Sequence, residues 1–347
     1  MLIESSYEGG GRRGSLYKRF SKEYPYITPE YVVSLGETET PLVEGERGVH
    51  FKLDYLLPTG SFKDRGSWAM ISALIPHLFG RGLRKIKEDS SGNAGASVAA
   101  YAARAGIECS IYVPAGAAGP KTDQIRGYGA ELHRIEGSRN DVTKAAQSSA
   151  EDGAYVGHIW HPLFRDGIRT LAYEMIEQMG GRMPESVFLP VSAGTLLLGF
   201  LAGVQHLRKS GAISSPPHIV ACQTEIVSPL FHRWMGLSYT TPASTDSLAD
   251  ALVSHDPPLL DRMVASLKEV DGECVTVGEG ELVRAWKELS RKGFFVEPSS
   301  AVAYAGLKKK RESQGWGIGE SVIVLTGSGL KAKPEALRLL RHDGKRV

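Results

Sequence analysis

The residues best suited to covalent chemistry lie in Pro58-Thr59-Gly60-Ser61-Phe62-Lys63-Asp64-Arg65-Gly66, where a lysine stands among turn-forming residues at the start of a helical pattern. A free lysine titrates near ~10.4 and is a weak nucleophile at neutral pH, but desolvation and nearby cations at a cleft release its amine for imine formation with a carbonyl. Single lysines are mostly solvated surface groups, so Lys63 gains its meaning from other segments. In Ser90-Ser91-Gly92-Asn93-Ala94-Gly95, small residues before an alanine-rich helical run leave backbone N–H groups open to an anion such as a substrate carboxylate, and Asn93 adds a neutral donor. Plain capping of that helix by Ser or Asn accounts for the same residues. Ser192-Ala193-Gly194-Thr195-Leu196 joins a strand pattern to a helix, and its N–H groups with the Ser192 and Thr195 hydroxyls suit a phosphate. It matches neither GxGxxG nor GxxxxGK[ST], so a dinucleotide or nucleoside triphosphate has no local support. Thr326-Gly327-Ser328-Gly329 follows the last strong strand pattern, which puts the Thr326 hydroxyl where α/β sheets bind ligands, although a strand-to-loop turn has the same composition.

These segments must be held by regular elements. Short apolar β-type runs alternate with helical patterns almost from end to end, which predicts an α/β fold with a parallel sheet covered by helices on both faces. Strands are expected at Val49–Leu53, Cys109–Val113, Glu131–Ile135, Val187–Val191, His218–Cys222, Cys274–Val277 and Ser321–Leu325. Helices are expected at Gly66–Leu78, Ala94–Ala105, Thr122–Tyr128, Val142–Asp152, Ile168–Met179, Leu196–Leu207, Glu279–Arg291 and Ser299–Lys308. The stretches 210–217 and 239–258, rich in Ser, Thr and Pro, read as loops, and Gly9–Gly14 as an exposed arm or one laid across a partner subunit.

With 347 residues the chain exceeds one ordinary core, so two closely packed domains are expected. Lys and Arg number 41 against 39 Asp and Glu, without long blocks of either sign, which gives no electrostatic support for a nucleic-acid or membrane partner and favours a small-molecule substrate. Cys109, Cys222 and Cys274 are widely spaced and odd in number, as suits structural thiols in a reducing cytosol; no metal site is expected. The first thirty residues hold no apolar run of signal-peptide type. The uncharged run from Val187 to Val204 is punctuated by Pro190, Ser192 and Gly194, so it reads as strand, turn and helix rather than a membrane span.

Taken in their order, PTGSFKDRG, SSGNAG followed by ASVAAYAARAG, and LTGSGLK resemble the fold-type II pyridoxal-phosphate enzymes, threonine synthases above all. Thr40-Pro41-Leu42 resembles the family's entry segment and Phe295 to Ala301 a late cofactor-side segment, so the resemblance runs from about Thr38 to about Lys333. It implies pyridoxal 5'-phosphate as cofactor, Lys63 as its Schiff-base lysine, Asn93 beside the ring hydroxyl, Ser192, Ala193, Gly194, Thr195 and Leu196 around the phosphate, and Thr326, with Ser328 as second choice, at the ring nitrogen. It implies Ser90, Ser91 and Gly92 for the substrate carboxylate. It also implies a cytoplasmic homodimer with a small domain over 55–156, a large domain from 1–54 and 157–347, and the active site between them.

The chain also departs from that family. Where many threonine synthases grip the phosphate of phosphohomoserine with an Asn-Ser pair and an Arg around Asn-Pro, it reads His158-Ile159-Trp160-His161-Pro162-Leu163-Phe164-Arg165. Leaving a buried phosphate dianion without donors is costly, so either Arg165, with His158, His161 and Lys121, supplies them or the substrate carries no phosphate. The leading expectation is a threonine synthase-like lyase that converts O-phospho-L-homoserine and water to L-threonine and phosphate. The alternatives are a serine or threonine dehydratase or another enzyme acting at the β carbon, and a catalytically silent relative that binds ligands.

Overall fold

Apolar β-branched runs and alanine- or leucine-rich runs take turns along the chain, and they fold as strands and helices. The computed structural model describes residues 14–150, 153–242, 246–314 and 319–341, so residues 9–13 of the expected arm lie outside the described residues. The strands are β1 (Leu42–Glu46), β2 (Val49–Lys52), β3 (Lys85–Glu88), β4 (Glu108–Pro114), β5 (Glu131–Ile135), β6 (Ala154–Tyr155), β7 (Ser186–Pro190), β8 (His218–Thr224), β9 (Glu273–Val277) and β10 (Ser321–Val324). The α-helices are α1 (Leu16–Phe20), α2 (Lys63–Gly80), α3 (Asn93–Ala105), α4 (Pro120–Gly127), α5 (Arg139–Ser148), α6 (Pro162–Gly167), α7 (Thr170–Gln178), α8 (Thr195–Lys209), α9 (Pro229–Met235), α10 (Leu260–Glu269), α11 (Glu279–Arg291), α12 (Pro298–Gln314) and α13 (Pro334–Leu337). The α/β expectation holds, with β5 and α11 matching their expected bounds. One correction bears on chemistry: α2 starts at Lys63, not Gly66, so the lysine opens the helix instead of preceding it.

The chain forms two compact units. The first comprises Met1–Glu39, Leu57–Gly181 and Gly199–Ser214. Its sheet has the order β5-β4-β3-β6, with every pair parallel, as in Lys87↔Ser110 and Ile86↔Ala154. All four strands lie within 55–156, the segment expected to form the smaller domain. Helix α3 is alanine-rich and buried along most of its length. The small side chains let it lie close to α2, where Trp68, Met70 and Ile71 are also buried.

The first turn of α2 is tied down by charge. Arg65, wholly buried, donates to Glu174 Oε2 at 2.8 Å and to Thr170 Oγ1 at 3.1 Å on α7, and Arg19 approaches the other Glu174 oxygen at 3.3 Å. Buried charges survive only when paired in this way.

The second unit comprises Thr40–Leu56, Arg182–Leu198 and Ser215–Val347. Its sheet has the order β1-β2-β10-β7-β8-β9 and is parallel except for the β1–β2 hairpin at one edge. Strands β7 and β10 are buried at every position, as expected of central strands covered on both faces. Helix α12 packs its Ala301, Ala303, Ala305 and Tyr304 into a core with Phe51, Phe188, Trp286 and Ile323. Its approach is so close that a Cβ at Gly306 would lie 2.5 Å from Cys222 Sγ. The uncharged run 187–204 divides into β7, a turn and part of α8, and among the described residues no helix is long and apolar enough to cross a membrane.

Replacing Glu174 with Leu leaves the Arg65 guanidinium buried without its carboxylate. The expected loss is roughly 3–5 kcal/mol of stability, read as a lower urea midpoint, whereas Glu177→Leu, at a half-buried position on the same helix, should cost far less.

Candidate active site

Lys63 is the first residue of α2 and is half-buried. Its Nζ lies 4.7 Å from the centroid of the Phe62 ring and 5.8 Å from that of Phe164, so the ammonium rests against two aromatic rings. The adjacent Asp64 fixes this turn. Its carboxylate accepts the Thr59 N–H at 2.7 Å, the Thr59 hydroxyl at 2.6 Å and the Ser97 hydroxyl at 2.6 Å. Ser97 Oγ, its own proton given to Asp64, accepts the Ser67 hydroxyl at 2.7 Å, which pins the second turn of α3 against α2.

Asn93 is buried at the start of α3, and Ser90, Ser91 and Gly92 before it are half-buried. Gly92 is extended and supplies no side-chain cap to the helix. Capping by Ser or Asn therefore does not explain this segment: Ser90 Oγ accepts the Gly92 N–H at 3.3 Å, within the loop. A Cβ at Gly95 would lie 1.8 Å from the Ser90 carbonyl oxygen, so glycine is what lets the loop fold back onto the helix.

Segment 158–165 belongs to the same unit and runs into α6. Arg165 Nη1 donates to the Ile159 carbonyl at 2.6 Å and so braces its own loop. His158 is buried, with its backbone N–H 3.0 Å from Glu88 Oε2 and its Nδ1 2.7 Å from Glu88 Oε1. Glu88 has no counterpart among the sequence expectations: at the end of the short strand Lys85-Ile86-Lys87-Glu88, it reads as a solvated charge. Burial pushes its carboxyl up to about 7, although His158, Arg139 and Lys63 favour its ionised form. Burial, and after it Lys63, pushes the His158 imidazole well below its usual range.

In the second unit, the segment after β7 and the segment after β10 leave the carboxyl ends of neighbouring parallel strands, paired as Ile323↔Phe188. Ser192 and Ala193 are partly exposed, while Gly194, Thr195 and Leu196 are buried. Gly194 has φ +91°, and a Cβ there would lie 2.3 Å from Met263 Sδ. Thr326 is held by Ser300, whose Oγ is 3.0 Å from the Thr326 hydroxyl and accepts the N–H groups of Thr326 at 3.1 Å and Gly327 at 2.8 Å. Ser328 Oγ accepts the Leu330 N–H at 3.3 Å and caps a short turn. Lys63, Ser90 to Asn93 and Arg165 thus lie in the first unit, and Ser192 to Leu196 with Thr326 in the second.

A family model described as pyridoxal-phosphate dependent enzyme matches residues 33–327. The chain belongs to this family. Its cofactor is pyridoxal 5'-phosphate. Among relatives of this pyridoxal-phosphate dependent enzyme, the threonine synthase of Mycobacterium tuberculosis is 31% identical over 319 residues, covering 88% of this chain and 85% of the relative. That of a Bacillus species is 32% identical over 333 residues and covers 91% of each. Among solved structures, a fungal L-serine ammonia-lyase from Rhizomucor miehei superposes with TM-score 0.74 at 20% identity, covering 88% of this chain and 98% of that one. That likeness confirms the fold.

The Glu88–His158 pair makes a measurable statement about this enzyme. Between the ordinary carboxyl value of 4.5 and the ordinary imidazole value of 6.5, the unfolded pair holds one proton, on the imidazole. Folded, burial favours the neutral imidazole and the protonated Glu88 carboxyl. The carboxyl's contribution to stability is lost as pH rises from 4.5 through about 7, and the imidazole's is lost as pH falls below 6.5, so across that window the two oppose each other. In Glu88→Gln only the imidazole remains. Its stability relative to wild type should then climb by up to about 1.4 kcal/mol per pH unit toward pH 6.5. Urea midpoints of the two proteins that run parallel with pH would contradict this.

Proposed function

We propose that the enzyme is a lyase of the threonine synthase type, which takes O-phospho-L-homoserine and water to L-threonine and phosphate. The observation that carries this reading is the likeness to threonine synthases at 31–32% identity over most of both chains. The motifs PTGSFKDRG, SSGN and LTGSGLK support it, each in a position suited to its role.

Lys63 would hold the cofactor through its ε-amine, Asn93 would donate to the ring oxygen, and Ser192 to Leu196 would surround the phosphate. The fit rests on the geometry of each unit. The positive φ of Gly194 makes a turn of the kind that would suit a phosphate, and Ser300 fixes the Thr326 hydroxyl, which would then serve the ring nitrogen. When bound, the cofactor withdraws electrons from the bonds at the substrate's α carbon. Thr326 is neutral and does not favour a proton on the ring nitrogen, which steers the chemistry toward elimination or replacement rather than transamination. Ser90, Ser91, Gly92 and the first N–H groups of α3 orient the substrate carboxylate. The free Lys63 amine would take protons from the α and β carbons and deliver protons to the γ and α carbons. The C–O bond at the γ carbon would break with its electron pair leaving on phosphate, water would add its hydroxyl at the β carbon, and the water's remaining proton would go to the phosphate. By the same resemblance, the enzyme is proposed to act as a cytoplasmic homodimer.

One observation favours a second reading, a dehydratase or β-replacement enzyme acting on an unphosphorylated amino acid. In 158–165, Arg165 braces Ile159 and His158 is committed to Glu88, which leaves less of the segment for a substrate phosphate.

A substrate panel separates the two. Release of phosphate and threonine from O-phospho-L-homoserine is expected, with Lys63→Ala slower by at least about 10²–10⁴-fold. Ammonia and a 2-oxo acid from serine or threonine, with no phosphate released, would replace the first reading by the second.

A further inference from the structure

Glu88 is wholly buried at the end of β3, and both its oxygens engage His158. The imidazole in turn meets Phe164 edge-on, with centroids 5.4 Å apart and planes at 66°. Phe164 has little freedom, because a Cβ at Gly66 would stand 2.6 Å from its ring, one helical turn beyond Lys63. The Lys63 ammonium lies 5.8 Å from the centre of that ring. A continuous contact therefore runs from Glu88 through His158 and Phe164 to Lys63.

The charges around it are few. Lys63 and Arg139 act on Glu88 from α2 and α5, and Glu88 acts in turn on Cys109 of β4 and Tyr155 of β6. Asp89, beside it in sequence, accepts from Arg139 at 3.0 Å and from Thr143 at 2.5 Å. Glu88, Asp89 and His158 have ligand atoms within 4.8 Å of one another, but Asp89 is already paired with the Arg139 guanidinium and Glu88 with His158.

We propose that Glu88, acting through His158 and Phe164, is a positioning residue for Lys63 that fixes where its side chain rests and, as a carboxylate, holds the ε-amine protonated. Opposite charge in a buried setting favours the ammonium, so release of the free amine depends on Glu88. The segment in which this chain departs from threonine synthases then serves the lysine as well as the substrate. The proposal rests on the reading of Lys63 as the cofactor lysine.

The test follows the rate at which cofactor-free enzyme captures pyridoxal 5'-phosphate across pH, with borohydride reduction and peptide mapping to locate the attachment. Wild type should be labelled at Lys63. Glu88→Gln should be labelled at the same residue, with the midpoint of its rate–pH curve lower by about one unit, a roughly tenfold faster capture below the midpoint. His158→Phe keeps a ring against Phe164 but strands the carboxyl, so its midpoint should move the same way and the double variant no further. Midpoints equal to wild type in folded variants overturn the proposal. If the variants do not fold, Lys63→Met, which leaves the pair intact, decides: the Glu88 carboxyl, followed by ¹³C NMR, should titrate at higher pH than in wild type, and an unchanged midpoint overturns the proposal. Labelling of wild type anywhere but Lys63 would refute the cofactor-lysine reading instead, and the NMR comparison would still report whether the two groups are coupled.

Discussion

The Asp64 carboxylate is the interaction on which the first unit's chemistry depends. It gathers the Thr59 amide and hydroxyl from the chain entering α2 and the Ser97 hydroxyl from α3. A buried carboxylate is tolerated because several donors surround it, and the same donors remove the freedom of the turn that carries Lys63. Lysine has a long, rotamer-rich side chain, so a fixed backbone is the first requirement for aiming it. Asn93 gains from the same arrangement, since α3 cannot slide along α2 without breaking the Ser97 contacts.

The second unit solves a similar problem with neutral groups. Ser300 receives two backbone N–H groups and faces the Thr326 hydroxyl, which fixes the loop after β10 through hydrogen bonds of a neutral side chain. The carboxyl ends of adjacent parallel strands bring that loop beside the one after β7, the usual place for ligands in such sheets. Alanine-rich α12 lies close on the sheet beneath and supplies the packing that makes these loops rigid.

The sequence showed the fold plainly where one physical signal dominated. Glu279–Arg291 carries apolar residues at helical spacing and appears as α11, and Glu131–Ile135 appears as β5. Strand β1 contains Gly45 and two glutamates and is mostly half-exposed, so it reads as a loop; it exists because β2 supplies a partner. Helix α6 is six residues long between Pro162 and Gly167, too short for periodicity to register. Helix α10 buries only Met263 and Leu267 and follows a proline-rich stretch. The site divides in the same way. Lys63, Asn93 and Thr326 stand in recognisable motifs, whereas Glu88 and His158 are 70 residues apart and become a pair only through folding. A glutamate between Lys87 and Asp89 gives no local sign that it will be sealed from water.

The phenylalanine on Gly66 has a further consequence. Phe164 belongs to segment 158–165, and it touches the helix turn that begins with the lysine. Under the proposed function, recognition and reactivity would therefore share one side chain. Any redesign of substrate preference through residues 158–165 perturbs the lysine as well, so variation there is constrained to changes that keep an aromatic ring seated on Gly66.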